Sequence, residues 1–363
     1  MKKLFVVFLF FAMFFFAPIA EADGWLSGYY NRIKIPIDAA KIDAALSDFP
    51  VPIKLTSANF DFAKANSDGF DFRFTGADGT TLLKYERERH DSTNKLAEYW
   101  VKVPSVSDSA DTYIYLYYRT EDTADGADGE NVWDSNHKAV LHLKDNTTSS
   151  VLDSTSNNND GTKKGANEPV EAAGQIYRAQ DFDGVNDYVN CGTGASLNIT
   201  AAITVEMWLY PHSLGNWQQI LGKGQSGGPA MVNYDFWATT ASRVRFSWGG
   251  DGVNGDYLDS AAVSVNEYVF VAAVIDENNN VKIYLDGAES NSKITSVSRS
   301  AVAGMLEIGG IAYAFFDGKI DEVRISNVAR SAAWIKASYH AGAGSLLKSF
   351  INETITGNFL MFF

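Results

Sequence analysis

Two short stretches put carboxylates where chemistry is possible. "FDGVNDYV" (Phe182–Val189) and "FDGKIDEVRI" (Phe316–Ile325) each join a Phe-Asp-Gly turn to an acidic strand. Calcium takes six to eight oxygens, which carboxylates and turn carbonyls supply. Gly184 and Gly318 let the backbone bend tightly enough to present those carbonyls. Asp183, Asp187, Asp317 and Asp321 are therefore candidate metal ligands. Asp-Gly is also a common turn dipeptide whose carboxylate only accepts backbone N–H groups, and both readings stay open. Asp321, inside "KIDEV", is harder to assign to a turn, because a carboxylate within a strand needs solvent or a partner. Strict alternation puts Arg324 on the opposite face from it.

A second constellation suits sugars, which are read by an aromatic platform for the ring face and by acid or amide groups for the hydroxyls. "SWGGDGVNGDYLD" (Ser247–Asp259) mixes Trp248, Asp251, Asn254 and Tyr257 with four glycines, and Trp217 and Tyr313 are further platforms. Against this, Trp248 can equally fill a core and the loop can simply be long. Trp237 and Trp208 read as core, and Trp100 and Trp133 as structural. Other chemistries find little support. His90, His137, His142, His212 and His340 show no paired zinc spacing. No nucleophile elbow or phosphate loop is present. Cys191, the only cysteine, reads as a small buried apolar residue.

These residues need a scaffold, and the composition restricts it. The chain of 363 residues opens with Lys2 and Lys3, an apolar run from Leu4 to Phe16, and the small-x-small site Ala20-Glu21-Ala22. That pattern is a signal peptide cleaved after Ala22, since the apolar run is too short to span a bilayer. Export without a disulfide leaves core size or a metal to hold the fold. The formal net charge is −14, and cleavage removes two lysines and one glutamate, leaving −15. Such a charge argues against nucleic acid or anionic membrane as partner.

Short strand-like runs between turns dominate the chain: "NRIKIPID", "FPVPIKL", "DFRFTG", "AEYWVKVP" and "TYIYLYY" early, then "KAVLHLKD", "AITVEMWLYP", "VFVAAVI", "VKIYL" and "GKIDEVRIS". Roughly ten residues per strand predicts a sandwich or jelly roll. The segment Arg119–Asn131, rich in Thr, Asp and Gly, reads as a solvated interdomain loop. One helix is predicted near the end, with Ser331 capping "AAWIKASYH" and Gly342 stopping it. The boundaries are then 23–135 for a β-rich domain, 136–343 for a jelly roll and 344–363 for a tail ending "NFLMFF". Asn146-Thr147-Thr148, Asn198-Ile199-Thr200 and Asn352-Glu353-Thr354 are glycan-acceptor sequons.

In order, "FDGVNDYV", "LNITAAITVEMWLYP", "EYVFVAAVIDENNNVKIYLDG", "LEIGG" and "FDGKIDEVRISNVARSAAWI" resemble the LamG-like domains of the concanavalin A-like lectin/glucanase superfamily, with Tyr268 where the family usually has Trp. The first half, from "YYNRIKIPID" through "YIYLYY" to "VWDS", is similar to a β-rich domain of unknown function that precedes such domains in prokaryotic surface proteins. The resemblance implies an all-β chain, an N-terminal sandwich-like domain followed by a jelly roll. It implies that the first and last jelly-roll strands are neighbours, so that Asp183 and Asp321 approach each other around a structural calcium ion. It also implies non-catalytic carbohydrate recognition or adhesion at a cell surface. The alternative is a structural or protein-binding spacer, and glycoside hydrolysis ranks below both. The Glu-x-Asp-x-Glu strand of the superfamily's hydrolases is missing, because Lys319-Ile320-Asp321-Glu322-Val323 lacks the leading glutamate. Glu206 stands alone in "TVEMW", on one strand face with Thr204 and Trp208. The expected partner is a glycan or a surface protein.

Overall fold

The computed structural model describes residues 24–118, 124–144, 149–164, 168–224, 232–249, 255–311 and 314–355. The expected signal peptide, the candidates Asp251, Asn254 and Tyr313, the sequon at 146–148 and the apolar end 358–363 lie outside the described residues.

The first six strands are β1 (Asn31–Ile37), β2 (Leu46–Thr56), β3 (Arg73–Thr75), β4 (Tyr85–Asp91), β5 (Leu96–Val106) and β6 (Thr112–Tyr118). The second half holds β7 (His137–Leu141), β8 (Ser150–Val151), β9 (Gly161–Lys163), β10 (Val170–Ala173), β11 (Arg178–Asp183), β12 (Val189–Asn190), β13 (Ile203–Pro211), β14 (Gln218–Gly224) and β15 (Val232–Ala238). It continues with β16 (Arg243–Trp248), β17 (Asp256–Ala262), β18 (Val269–Ile275), β19 (Asn280–Leu285), β20 (Ala288–Ile294), β21 (Leu306–Ile308), β22 (Gly310–Ile311), β23 (Ala314–Phe315) and β24 (Asp317–Ser326). The helix α1 (Ala332–Gly342) and a last strand β25 (Ile351–Thr354) follow.

Alternation builds the first sandwich. Ile33, Ile35 and Ile37 of β1 face Val51, Ile53 and Leu55 of β2 and Tyr99, Val101 and Val103 of β5. Its sheets run β25-β1-β6-β3 and β2-β5-β4, so strand β25 of the tail returns to pair with β1. The acidic segment ahead of the jelly roll is tied down by ion pairs, Asp125 to Arg87 and Asp128 to Lys84. The jelly roll stacks a front sheet, β10-β11-β24-β13-β18-β19-β20 with β7 beside β24, on a back sheet, β17-β16-β15-β14-β21-β12-β9-β8. Between them lie Phe182, Val205, Met207, Phe236, Phe246, Trp248, Val271, Ile320 and Val323.

Strand β18 is buried on both faces because the outer side of the front sheet is covered as well. Trp208, Phe270 and Tyr284 on that side join one cluster with α1 and with the first domain. Trp208 is therefore core, but interdomain core, and the face that carries Glu206 is closed. Ser331 caps α1 as expected, accepting from Trp334 N at 3.2 Å. Gly342 does not stop the helix but lies in its last turn, where a Cβ would collide with the Trp208 indole, and Gly344 takes the left-handed conformation instead.

Helix α1 wedges between the domains through Trp334, whose ring meets Phe49 edge-on at 4.9 Å and lies under the Arg330 guanidinium. Trp334→Ala should lower unfolding stability by about 3–5 kcal/mol. Urea denaturation of the full chain checks this, and a loss below about 1 kcal/mol would mean that the wedge is dispensable.

Candidate functional site

The acidic turns are assembled differently from the expectation. Antiparallel pairing sets Asp183 opposite Asp317, not Asp321. Asp321 lies four residues further along β24, roughly 13 Å away at strand rise. Asp183 Oδ1 accepts from Val185 N and Asn186 N, Asp187 Oδ2 accepts from Asp183 N, and Asp317 Oδ2 accepts from Ser213 Oγ. These residues close turns, and the oxygens of Asp183 and Asp321 do not fit one calcium shell. The turn geometry also explains both glycines. A Cβ at Gly184 would press on the Asp317 side chain, and one at Gly318 would sit 2.5 Å from Tyr210 O.

Asp321 is wholly buried, with Oδ2 accepting from Ile176 N at 3.0 Å and Oδ1 without a partner. Burial pushes its carboxyl well above the usual range, and neighbouring Glu322 adds to this. Arg324 shares its face rather than opposing it. One extra residue in β24 shifts the register, so that Trp208 pairs with Asp321 and Glu206 with Arg324.

The outer face of the back sheet reaches solvent at the Trp217 and Tyr257 end, while β14 is buried on both faces. Register draws one line across six strands, Asn190–Glu307–Gly222–Asp235–Ser247–Tyr257. At about 4.8 Å per strand the line is roughly 24 Å long. Polar residues stand here because Leu306, Ile308, Phe236 and Phe246 take the alternate, inward positions. At the glycine the line is filled from the side. A Cβ at Gly222 would strike the Gln219 amide, so Gln219 lies over the gap between Glu307 and Asp235. Gln219 Oε1 and Asp235 Oδ1 are buried and have no hydrogen-bond partner, while Asp235 Oδ2 accepts from Trp237 Nε1 at 2.8 Å.

Beside this line runs an aromatic one. Trp217 and Trp237 meet edge-on at 6.3 Å, and Arg245 lies 4.9 Å over Trp217 and 3.5 Å over Tyr257. A bidentate pair with Asp259, at 2.7 and 2.9 Å, holds the guanidinium in place. Trp217 is 45% exposed and Tyr257 48% exposed. A hollow of about 220 Å³ opens at this end, lined by Asp235, Ser247, Asp256 and Tyr257. The structure thus joins Trp217 and Tyr257 through a residue that the sequence reading passed over. It sends Trp248 into the core at 0% exposure and leaves Trp237 half-exposed outside. Half of the supposed glycine loop is strand, because β16 runs to Trp248 and β17 starts at Asp256. Asp235 and Gln219 were missed, although Asp235 in "NYDFWA" interrupts an aromatic strand and carried a signal.

A larger cleft of about 1220 Å³ lies between the domains. Of its aromatics, Phe60, Phe62, Tyr99, Trp100 and Tyr118 are buried and Phe350 is partly exposed.

Residues 183–336 match the family model of the concanavalin A-like lectin/glucanases superfamily, and residues 68–159 match a domain of unknown function (DUF2341). The second domain is a concanavalin A-like jelly roll. The first half carries the DUF2341 match, whose span includes Glu86, Glu88, Trp133 and His142. Solved structures similar to this chain include the binding domain of Paraclostridial Mosquitocidal Protein 1, at 11% identity and TM-score 0.47, over 57% of this chain and 52% of that one. They also include domain 4 of AbnA, an extracellular arabinanase from Geobacillus stearothermophilus, in complex with arabinotriose, at 20% identity and TM-score 0.44, over 55% of this chain and 97% of that one. The receptor-binding domain of botulinum neurotoxin C/D mosaic serotype is similar at 15% identity and TM-score 0.44, over 56% of this chain and 51% of that one. The chain spans about half the length of the mosquitocidal binding domain. No curated protein matches it.

Burial raises the Asp235 carboxyl to about 6, against the opposing hydrogen bonds from Trp237 and Ser247. A raised acid penalises the fold above its folded pKa and leaves no penalty below the unfolded value near 4. Stability should therefore rise by on the order of 2–3 kcal/mol as pH falls from about 7 to about 4 at this group. Asp235→Asn should remove that dependence and raise the unfolding midpoint at pH 7.5. Thermal scans at several pH values, run with calcium and with EDTA, check this. The same scans on Asp183→Ala should show a loss of about 1 kcal/mol, from two orphaned N–H groups, that calcium does not alter.

Proposed function

We propose that this is an exported, non-catalytic carbohydrate-binding protein whose jelly roll reads a glycan along the outer face of its back sheet. The observation that carries this is the pair of buried, unpartnered acceptors, Asp235 Oδ1 and Gln219 Oε1, beside two exposed aromatic rings. Buried polar atoms normally find partners. Unpartnered acceptors lying just beneath this row would take the hydroxyls of a sugar once the side chains above them shift, and the rings of Trp217 and Tyr257 match its apolar faces. The row is long enough for several sugar units, and its small hollow suits an open-ended chain better than a closed small-molecule pocket.

The same geometry disfavours hydrolysis. A retaining pair needs carboxyls about 5–5.5 Å apart. Asp235 and Glu307 lie two strands apart, roughly 9.6 Å between Cα atoms. The Gln219 amide occupies the gap where an inverting enzyme keeps its water. Export rests on the leader pattern of the first 22 residues.

Affinity electrophoresis and a glycan array test the reading. At least one polysaccharide should retard the protein, and Trp217→Ala and Tyr257→Ala should each weaken binding about tenfold or more, given about 1–3 kcal/mol per lost aromatic contact. Asp235→Asn should weaken binding while the fold gains stability. Retardation that survives all three changes would place the glycan elsewhere. No retardation by any glycan would leave the spacer reading.

A further inference from the structure

The sequence showed no metal spacing among its histidines, yet the fold builds a metal-like cluster from distant residues. Among the described residues, Glu88, His142 and Glu322 are the group of His, Cys, Asp or Glu side chains whose ligand atoms all lie within 4.8 Å of one another. All three are buried, and Glu88 comes from the first domain while His142 and Glu322 come from the jelly roll.

Two β-bulges aim the carboxylates. In β4, Arg87 pairs with Tyr99 and Arg89 with the adjacent Glu98, so Glu88 is the extra residue. In β24 the extra residue falls at Glu322, whose φ is +54°. Bulges re-aim side chains in this manner beside functional sites. They meet on the His142 ring, where Nδ1 is 2.6 Å from Glu322 Oε1 and 3.8 Å from Glu88 Oε2.

The two carboxylates each have a hydrogen-bonded outer partner, as metal ligands do, and a further carboxylate lies beside the imidazole. Glu86 Oε1 faces the far imidazole nitrogen, Nε2, at 3.3 Å, and Glu86 is itself held by Trp133 Nε1 and Ser154 Oγ. Trp100 Nε1 donates to Glu88 Oε2 at 2.8 Å, and Arg324 donates to Glu322 Oε2 at 2.7 Å. Glu88 Oε1 has no partner although the Glu88 side chain is 1% exposed. Three carboxylates therefore surround one imidazole. The nearby cations are Arg324 on Glu322 and Lys144, whose Nζ donates to the Glu88 main-chain carbonyl at 3.0 Å. The three carboxylates against these two cations leave one net negative charge beside the ring, which draws either a proton or a metal ion to the imidazole.

The geometry points to a transition-metal site, with zinc as the best-matched ion, that ties the two domains together through Glu88, His142 and Glu322. One imidazole and two carboxylates suit zinc's nitrogen and oxygen preference. Calcium, which wants six to eight oxygens, is poorly served. Glu88 and Trp100 line the interdomain cleft, which gives the ion a route in.

The test uses untagged full chain, stripped with chelator and titrated calorimetrically with zinc chloride. One equivalent should bind. At a hundredfold excess over Kd the unfolding midpoint should rise by about 5–10 °C. Cobalt should give the visible absorption of a four-coordinate ion. Glu88→Gln and Glu322→Gln should each cut affinity by about a hundredfold, and Trp100→Phe by about tenfold. Asp183→Ala should leave it unchanged. If the Glu322 variant does not fold, the wild-type titration and the Trp100 variant still decide. Less than about a tenth of an equivalent bound by the wild type, or equal binding by Glu88→Gln, overturns the site and leaves an ionic contact between the domains.

Discussion

The architecture depends on the buried charge contact at the bulge of β24. Arg324 is enclosed there, bonded to Glu322 at 2.7 Å, facing Glu206 at 3.6 Å and lying 4.4 Å over the Trp100 ring. A charge taken out of water is tolerable only with partners, and removing one partner of a buried pair leaves the other uncompensated. The partners come from both domains, so the contact fixes how the sandwich sits on the jelly roll. The surrounding indoles serve it too. Trp100 and Trp133 spend their N–H groups on Glu88 and Glu86 and exclude water with their rings. An interface whose acids must all be matched tolerates few alternative dockings, whereas an apolar one would slide.

This division of labour decides which face is free for function. The front sheet's outer side is occupied by α1, the first domain and the charge contact. Its polar residues, Thr204, Glu206 and Arg324, are structural despite a strand pattern that suggests an open face. On the back sheet, among the described residues, Trp217 and Tyr257 reach solvent, although β14 is buried on both faces. Acceptors there stay open at some expense to stability, as Asp235 shows by its raised pKa. A buried acid that weakens the fold beside exposed aromatic rings is the pattern of a binding site, where stability and function pull against each other.

The strand order was legible because alternation and turn dipeptides are local. "NRIKIPI", "TYIYLYY" and "VFVAAVI" each declare which side faces inward or that both do. The helix cap at Ser331 was legible for the same reason. The pairing partners were not. Asp321 looked like a partner of Asp183, but register set Asp317 there, and register is a tertiary property. Arg324 appeared on the wrong face because one inserted residue reverses the alternation, and nothing in "KIDEVRI" marks the insertion beyond an unremarkable Glu322. Trp237, expected in the core, lies outside, and Trp248, left open between core and platform, fills the core, for a related reason. Both sit in aromatic strands, and a one-residue difference in phase sends one to the core and the other to the surface.

The two bulges show why site residues escape a reading by spacing. Glu88 and Glu322 are 234 positions apart in the chain, and no motif connects them. Each lies in a strand rich in charge, "YERERHD" and "DGKIDEVRIS", where an acid looks like solvent decoration. What singles them out is that both are residues the ladder cannot pair, held by specific partners at a buried interface. Glu322 also keeps a left-handed backbone that a side chain normally avoids. Conformations of that kind persist only where surrounding contacts enforce them. The enforcement here comes from His142 and Arg324, so the strain, the charge and the domain contact are one feature of the fold rather than three.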